Sequence, residues 1–181
     1  MSLPGIPEIA ADARLLAVTE NVYGERLVPY KATLFEKSGK ANWLVAWHQD
    51  TSLPLETSPN SEGWGPASKK DGVNFLHAPI WALAHILALR IHLDPSMTIN
   101  GPLRVIPASH KQRFHNDADI EQMRKSSCVV ECLVGKGGVV AMSPMILHAS
   151  SKIRGDSPRL VLHIEYATSL ELSPDIHLAI A

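Results

Sequence analysis

The chain has 181 residues, of which 45% are hydrophobic and 19% charged, so its composition is that of a globular protein and excludes a disordered chain. The 17 basic and 18 acidic residues nearly balance, and no basic run occurs. We therefore expect no nucleic-acid partner and no polybasic membrane anchor. The longest apolar stretch, Ile80–Leu89, is interrupted by His85 and is too short to cross a bilayer.

The length predicts a single domain over residues 1–181, and two further features indicate a cytoplasmic protein. The first residues lack the basic start and apolar core of a signal peptide. Cys128 and Cys132 lie four residues apart in a strand-like run. On an extended chain that spacing is about 13 Å, too far for a disulfide.

The elements begin with a short helix in Glu8–Ala17 and continue as short β-like runs from Leu27 onward. The predicted strands are Leu27–Phe35, Trp43–His48, Ala82–Leu93, Leu103–Pro107, Cys128–Leu133, Gly138–Ser143 and Arg159–Tyr166. Because few helices intervene, this pattern predicts an all-β sandwich or barrel.

The connections carry turn residues. Asn100-Gly101 predicts a hairpin between the strands that end at Leu93 and begin at Leu103. Thr51–Gly72 has eleven Ser, Pro, Gly or Asn residues, so we expect residues 51–74 to form a loop that acts as a lid.

Two smaller expectations concern residues between and beside the strands. The polar segment His110–Ser127 contains a predicted helix near Asp117–Lys125, capped by Asn116 or Asp117. Lys37, near a predicted strand end, is expected to be solvated, and His110 is expected to stabilise a turn.

Three side chains are candidate metal ligands. His48 and Asp50 lie two apart at a strand end, so both project to one face while Gln49 points to the other. His148 follows a second predicted strand. Two imidazoles and one carboxylate leave three positions of an octahedral metal open, as in Fe(II) oxygenases, whereas neither cysteine has partners at zinc-ligand spacing.

Arg159 opens the strand that follows His148 by eleven residues. A turn at 155–158 would fold that strand back antiparallel to the strand of His148 and bring the guanidinium near the metal. A buried Arg at that place needs an anion, which a carboxylate-bearing co-substrate would supply. The alternative is a surface Arg paired with Asp156 or Glu165.

Several motifs occur together in one order: WHQD at 47–50, LRIHLD at 89–94, NGPLRVIPASH at 100–110, HASS at 148–151 and PRL at 158–160. In this combination the chain resembles the phytanoyl-CoA dioxygenase family. The resemblance runs from about Trp43 to Tyr166. It implies a double-stranded β-helix, that is, a cupin-like jelly roll, with a short N-terminal helix before it. Ala108 stands where the family usually has Gly.

The resemblance implies an Fe(II)- and 2-oxoglutarate-dependent dioxygenase that uses O2, hydroxylates a small organic molecule and releases succinate and CO2. By residue, it implies that His48, Asp50 and His148 are the iron ligands. It also implies that Arg159 and Ser150 bind the far carboxylate of 2-oxoglutarate, and that Arg90 lines the co-substrate pocket.

Two alternatives remain open at this point. One is a cupin-like metalloenzyme that does not use 2-oxoglutarate, against which Arg159 argues. The other is a catalytically inactive metal-binding jelly-roll module, an alternative that rests on the short stretch of 47 residues before His48. The substrate and the oligomeric state are not specified by the sequence.

Overall fold

A computed structural model of the chain describes residues 4–59, 61–111 and 114–181. Asn60 of the predicted loop therefore lies outside the described residues. The same is true of residues 112 and 113 of the predicted polar segment. The described residues form four α-helices and thirteen strands. The helices are α1 (Ile6–Ala10), α2 (Ala13–Tyr23), α3 (Ile80–Leu83) and α4 (Asp117–Ser126).

Thirteen strands account for most of the regular structure. They are β1 (Val28–Lys37), β2 (Val45–His48), β3 (Ser52–Leu55), β4 (Ala67–Lys70), β5 (Val73–His77), β6 (Ile86–His92), β7 (Leu103–Val105), β8 (Val130–Cys132), β9 (Val139–Met142), β10 (His148–Ser150), β11 (Arg159–Ala167), β12 (Glu171–Ser173) and β13 (Ile176–His177).

Two four-stranded sheets interleave along the sequence. One has the order β1-β11-β6-β9 and the other β2-β10-β7-β8, so the strands from β6 to β11 are divided between the two sheets. This is the strand order of a double-stranded β-helix, and the predicted all-β jelly roll with an N-terminal helix is confirmed.

The chain divides into two compact units, of which the second contains all residues of the candidate site. It comprises residues 34–50 and 90–163. The sheet β2-β10-β7-β8 lies wholly within this unit, and its strand pairs are antiparallel. His148 of β10 stands opposite His48 of β2 and Val105 of β7. Ser150, at the other end of β10, stands opposite Val45 and Leu103. The one-domain organisation inferred from length stays a prediction.

The first unit comprises residues 4–33, 51–89 and 164–181, and both ends of the predicted loop 51–74 form strands in it. β3, β5 and β4 form an antiparallel three-stranded sheet. Leu53 and Leu55 of β3 are fully buried, and their burial stabilises strands that the Pro and Gly content did not predict. The role of this segment as a lid stays a prediction.

Two other boundaries differ from expectation. The strand predicted over Ala82–Leu93 begins only at Ile86, because residues 80–83 form the helix α3. The predicted helix Glu8–Ala17 is two helices, because Ala11 ends α1 and the Asp12 carboxylate caps α2 by accepting from the Arg14 N–H.

The turn at Asn100-Gly101 is present but does not close a hairpin, because β6 and β7 belong to different sheets. Gly101 has φ 66°, and a Cβ there would collide with the carbonyl oxygen of Ser151. Only glycine fits this position without strain.

Other local predictions agree with the structure. Asn116 caps α4 by accepting from the Asp119 N–H, and both cysteines are free thiols. With 11 residues, α2 is the longest helix of the described chain, far short of the roughly 20 residues that a bilayer requires.

The turn after β7 supports the strand that carries His148. Ser109, not His110, makes the stabilising contacts: its hydroxyl donates to the Ile106 carbonyl at 2.7 Å and accepts from the Leu147 N–H at 2.8 Å. Ala108 in this turn has φ 63°, a left-handed conformation that costs an L-residue about 1–2 kcal/mol.

Replacing Ala108 by glycine is therefore expected to raise the free energy of unfolding by about 0.5–1 kcal/mol, since relief of strain exceeds the added entropy of the unfolded chain. Urea unfolding measures the change. Ala84→Gly is the matched control, because Ala84 ends α3 with φ −66° and should lose up to about 1 kcal/mol. Equal destabilisation by both substitutions would contradict the strain argument.

Candidate metal centre

Three side chains converge at one end of the β2–β10 pair. His48 ends β2, Asp50 follows two residues later, and His148 begins β10. The Asp50 carboxylate lies 3.4 Å from His48 Nε2 and 3.5 Å from His148 Nε2. One donor atom of each residue lies within 4.8 Å of the others, so the three predicted ligands are brought together.

Both imidazoles are held in the orientation that a metal ligand needs. His48 Nδ1 donates to the Ala46 carbonyl at 2.8 Å, and His148 Nδ1 donates to the Ile146 carbonyl at 2.9 Å. These hydrogen bonds keep a proton on Nδ1 of each ring and turn Nε2 toward Asp50, so that Nε2 is the atom free to bind a metal.

Gln49 points away from the metal ligands, as strand alternation predicts. Its amide nitrogen donates to the Met145 carbonyl at 2.6 Å, and its amide oxygen accepts from the His115 N–H at 2.9 Å. The Asp50 N–H also donates to the Pro144 carbonyl. These bonds tie the chain around Asp50 to the segment that precedes His148.

Charges at this centre favour an ionised carboxylate beside imidazoles. Burial opposes ionisation of Asp50, but the hydrogen bond with His48 outweighs it and lowers the Asp50 pKa well below the usual range. The hydrogen bond to Asp50 raises the pKa of His48. Burial lowers the pKa of His148 to about 4, so that this ring is neutral near pH 7.

The donor set fits a ferrous ion. Two imidazole nitrogens and one carboxylate form a facial triad that leaves half of an octahedron open. Ligands at right angles on such an ion, with bonds of about 2.1 Å, lie about 3 Å apart, which the observed separations approach. Structural zinc instead favours four ligands, often thiolates.

A cavity of about 540 Å³, including the space at its mouth, adjoins the three donors. The lining residues all belong to the second unit and are Phe35, Lys37, Trp43, Val45, His48, Asp50, Arg90, Leu103, His148, Ala149, Ser150, Arg159 and His163.

Two buried cations meet the Ser150 hydroxyl at one end of this cavity. Lys37 Nζ lies 2.6 Å from Ser150 Oγ and also donates to the Ser151 carbonyl. Arg159 Nη2 lies 3.4 Å from the same hydroxyl, and its Nε donates to the Asn100 carbonyl. Ser150 Oγ in turn donates to the Gly101 carbonyl at 2.8 Å.

Arg159 Nη1 is buried without a hydrogen-bond partner, and among the described residues no carboxylate forms an ion pair with this guanidinium. The surface pairing with Asp156 or Glu165 is therefore excluded. The expected hairpin with the strand of His148 is also wrong, because β10 and β11 lie in different sheets. Arg159 reaches Ser150 from the opposite sheet.

Lys37 is a site residue that the sequence reasoning missed and placed in solvent. It is only 2% exposed, and burial, followed by the charges of Arg159 and Arg104, lowers its pKa to about 8. The alternation of side chains along β1 places Lys37 on the same face as Phe35, and this pattern in the sequence could have indicated that Lys37 belongs to the site.

Arg90 also lines the cavity, but with other partners. Its Nη1 donates to His163 Nδ1 at 3.1 Å, and its guanidinium lies 5.3 Å from the centre of the Phe35 ring. The Phe35 ring meets the His163 ring edge-on at 5.6 Å. Arg90, His163 and Phe35 thus form one cluster on the wall of the cavity.

Comparison with known proteins identifies relatives at the level of family and fold. The model of the phytanoyl-CoA dioxygenase family matches residues 7–161. No curated protein matches the chain in sequence.

Three solved structures share the fold. AviO1 from Streptomyces viridochromogenes Tue57 is 23% identical, with a TM-score of 0.66 over 98% of this chain and 66% of its own. The non-heme alpha-ketoglutarate-dependent epimerase SnoN from nogalamycin biosynthesis is 18% identical, with a TM-score of 0.63 over 90% of this chain and 56% of its own. EctD from S. alaskensis, solved with bound Fe, is 20% identical, with a TM-score of 0.64 over 88% of this chain and 51% of its own. The chain thus spans between half and two thirds of the length of these proteins.

Proposed function

Because the chain belongs to the phytanoyl-CoA dioxygenase family, we propose that it is an Fe(II)- and 2-oxoglutarate-dependent oxygenase that hydroxylates a small organic substrate. The observation that carries the proposal is a single cavity in which His48, Asp50 and His148 converge beside Arg159, Ser150 and Lys37. This arrangement supports a metal site beside a site for a diacid. The arginine argues against a cupin-like enzyme that has no use for 2-oxoglutarate.

His48, Asp50 and His148 would hold the iron through Nε2, a carboxylate oxygen and Nε2. The carbonyls of Ala46 and Ile146 keep both rings in the required tautomer, and ionised Asp50 adds the negative charge that favours a divalent cation. A bound ferrous ion supplies the oxidation chemistry, in which O2 and 2-oxoglutarate yield succinate, CO2 and one oxygen atom for the substrate.

Arg159, Lys37 and Ser150 would bind the far carboxylate of 2-oxoglutarate. The unpartnered Arg159 Nη1 offers a buried donor, and charge-assisted hydrogen bonds of this kind contribute about 1.5–3 kcal/mol each. The side chains of Val45 and Leu103 flank Ser150 on the neighbouring strands and keep water from this end of the cavity, which strengthens the ionic contacts.

The proposal is tested by succinate release from 2-oxoglutarate with added Fe(II), with and without a chelator. The expected result is turnover that requires iron and stops on chelation. Metal-dependent binding of 2-oxoglutarate without any succinate would instead identify the inactive binding module. Product mass then separates hydroxylation, a gain of one oxygen atom, from an epimerisation such as that named for SnoN.

Lys37→Met is expected to raise the KM for 2-oxoglutarate about tenfold, the loss of one charged contact. Because the Lys37 pKa is about 8, the ammonium is present below that pH and lost above it. The wild-type KM should therefore rise as pH increases beyond 8, whereas the variant should show no such rise. Steady-state kinetics from pH 6.5 to 9.5 measure both.

The exposed Lys40 provides the control, and Lys40→Met should leave the KM and its pH profile as in the wild type. A Lys37→Met enzyme that keeps the same rise in KM above pH 8 would remove Lys37 from the co-substrate site.

A further inference from the structure

Arg90 is a buried cation: burial lowers its pKa, and the more distant charge of Asp50 opposes this only in part. It is 7% exposed, its Nε is buried without a hydrogen-bond partner, and within the described chain no carboxylate forms an ion pair with it. Its contacts are the neutral acceptor of His163 and the face of Phe35. Burying an uncompensated guanidinium destabilises a protein, so this arrangement is that of a site which awaits an anion.

The Arg90 cluster lies apart from the end of the cavity that Ser150 marks. Along β1, Phe35 precedes Lys37 by two residues, about 6–7 Å, and along β11, His163 follows Arg159 by four, about 13 Å. None of the contacts to Ser150 involves Arg90, whereas Lys37 and Arg159 both make one.

The cluster lies near the metal ligands instead. Arg90, Phe35 and His163 line the same cavity as the three residues His48, Asp50 and His148. A molecule that contacts Arg90 in this cavity therefore lies beside the metal centre, which is where a molecule to be oxidised must lie.

The charged residues that line the cavity also indicate that Arg90 binds an anion. Its lining carries three cations, Lys37, Arg90 and Arg159, and one carboxylate, Asp50, a balance of 3 − 1 = +2. A ferrous ion and the dianion of 2-oxoglutarate cancel each other. The lining thus keeps an excess of positive charge, and Arg90 is the cation of the three that no contact proposed for 2-oxoglutarate uses.

We propose that the substrate is a small carboxylic acid with an apolar body, and that Arg90 binds its carboxylate while His163 and Phe35 hold the guanidinium in place. This inference rests on the proposed function, because it takes Lys37 and Arg159 as the anchors of 2-oxoglutarate. The resemblance assigned Arg90 to the co-substrate pocket, whereas this inference assigns it to the substrate. Phe35 and Trp43 provide the apolar wall.

The test uses matched pairs of probes on protein loaded anaerobically with Fe(II) and 2-oxoglutarate: benzoate with benzamide, cyclohexanecarboxylate with its amide, and hexanoate with hexanamide. Ligand-observed NMR titration gives the affinities. In the wild type at least one acid should bind about tenfold or more tightly than its amide. In Arg90→Met this preference should disappear, and in Arg90→Lys part of it should remain, because the charge is kept without the planar fork.

A second readout does not depend on the loaded enzyme. Without ligands, Arg90→Met should raise the thermal midpoint by a few degrees, since it removes an uncompensated buried charge. The exposed Arg154 is the matched control, and Arg154→Met should leave the midpoint within about one degree. A fall in the midpoint of Arg90→Met would contradict the idea of a vacant anion site.

The outcomes separate this inference from the proposed function. If the wild type binds 2-oxoglutarate with iron but prefers no acid over its amide, the inference is wrong and the proposed function stands. The same holds if Arg90→Met weakens 2-oxoglutarate binding as much as Arg159→Met does. If the wild type binds no 2-oxoglutarate, both are wrong.

Discussion

Replacing His148 by alanine is expected to lower iron-dependent succinate formation by more than a hundredfold. Loss of a residue that only orients a metal ligand already costs about 10–100-fold in affinity or activity, and His148 is assigned here as a ligand. The substitution leaves His48 and Asp50, two donors where the facial triad requires three. Succinate formation and Fe(II) binding by equilibrium dialysis should fall together.

The control for this variant is His85→Ala, since His85 is an exposed histidine that hydrogen-bonds Thr168. It should retain full iron binding. Circular dichroism and the thermal midpoint of His148→Ala must show a folded protein for the comparison to count. Iron binding and turnover at wild-type levels in folded His148→Ala would remove His148 from the metal centre.

Arg159→Met is expected to raise the KM for 2-oxoglutarate by about a hundredfold or more. Two charge-assisted hydrogen bonds of at least about 1.5 kcal/mol each amount to a factor of roughly 100. Methionine preserves most of the apolar stem, so packing changes little. Iron binding should persist, because Arg159 contacts Ser150 and Asn100 and none of the three metal ligands.

Arg154→Met is the control, because Arg154 lies five residues earlier and is exposed. It should leave the KM at the wild-type value. If Arg159→Met loses iron binding as well, its effect is structural. If its KM is unchanged while iron binding is normal, the far carboxylate is held elsewhere.

The candidate metal ligands could be chosen from the sequence because strand geometry determines the local direction of side chains. His48 and Asp50 share a face since side chains alternate, and Gln49 points away for the same reason. Their meeting with His148 depends on the β2–β10 register, which no local pattern encodes. The order of motifs shared with the family supplied that long-range information.

Lys37 and Arg159 show where local reasoning fails. Both lie in the sheet opposite Ser150, and whether a charged strand residue faces solvent or a cavity depends on which sheet its strand joins. The turns at 100–101 and 155–158 gave the wrong pairing, because the strands on either side of each turn join different sheets, whereas turn chemistry alone favours a hairpin.

The segment at 51–74 was misjudged for a related reason. Its prolines and glycines are typical of loops, but Pro54 lies in β3, an edge strand of its sheet, where a missing N–H donor is tolerated. Likewise, the periodicity of the apolar run from Ile80 is compatible with either a helix or a buried strand. In the structure the first four residues of this run form α3, and the strand begins at Ile86.

Anomalous diffraction at the iron edge, from anaerobic crystals grown with Fe(II) and 2-oxoglutarate, would test the central claim most directly. We predict one iron peak within about 2.0–2.2 Å of His48 Nε2, an Asp50 oxygen and His148 Nε2, with a diacid between it and Arg159. An iron peak bonded to other residues, or a diacid that leaves Arg159 without a partner, would contradict the account.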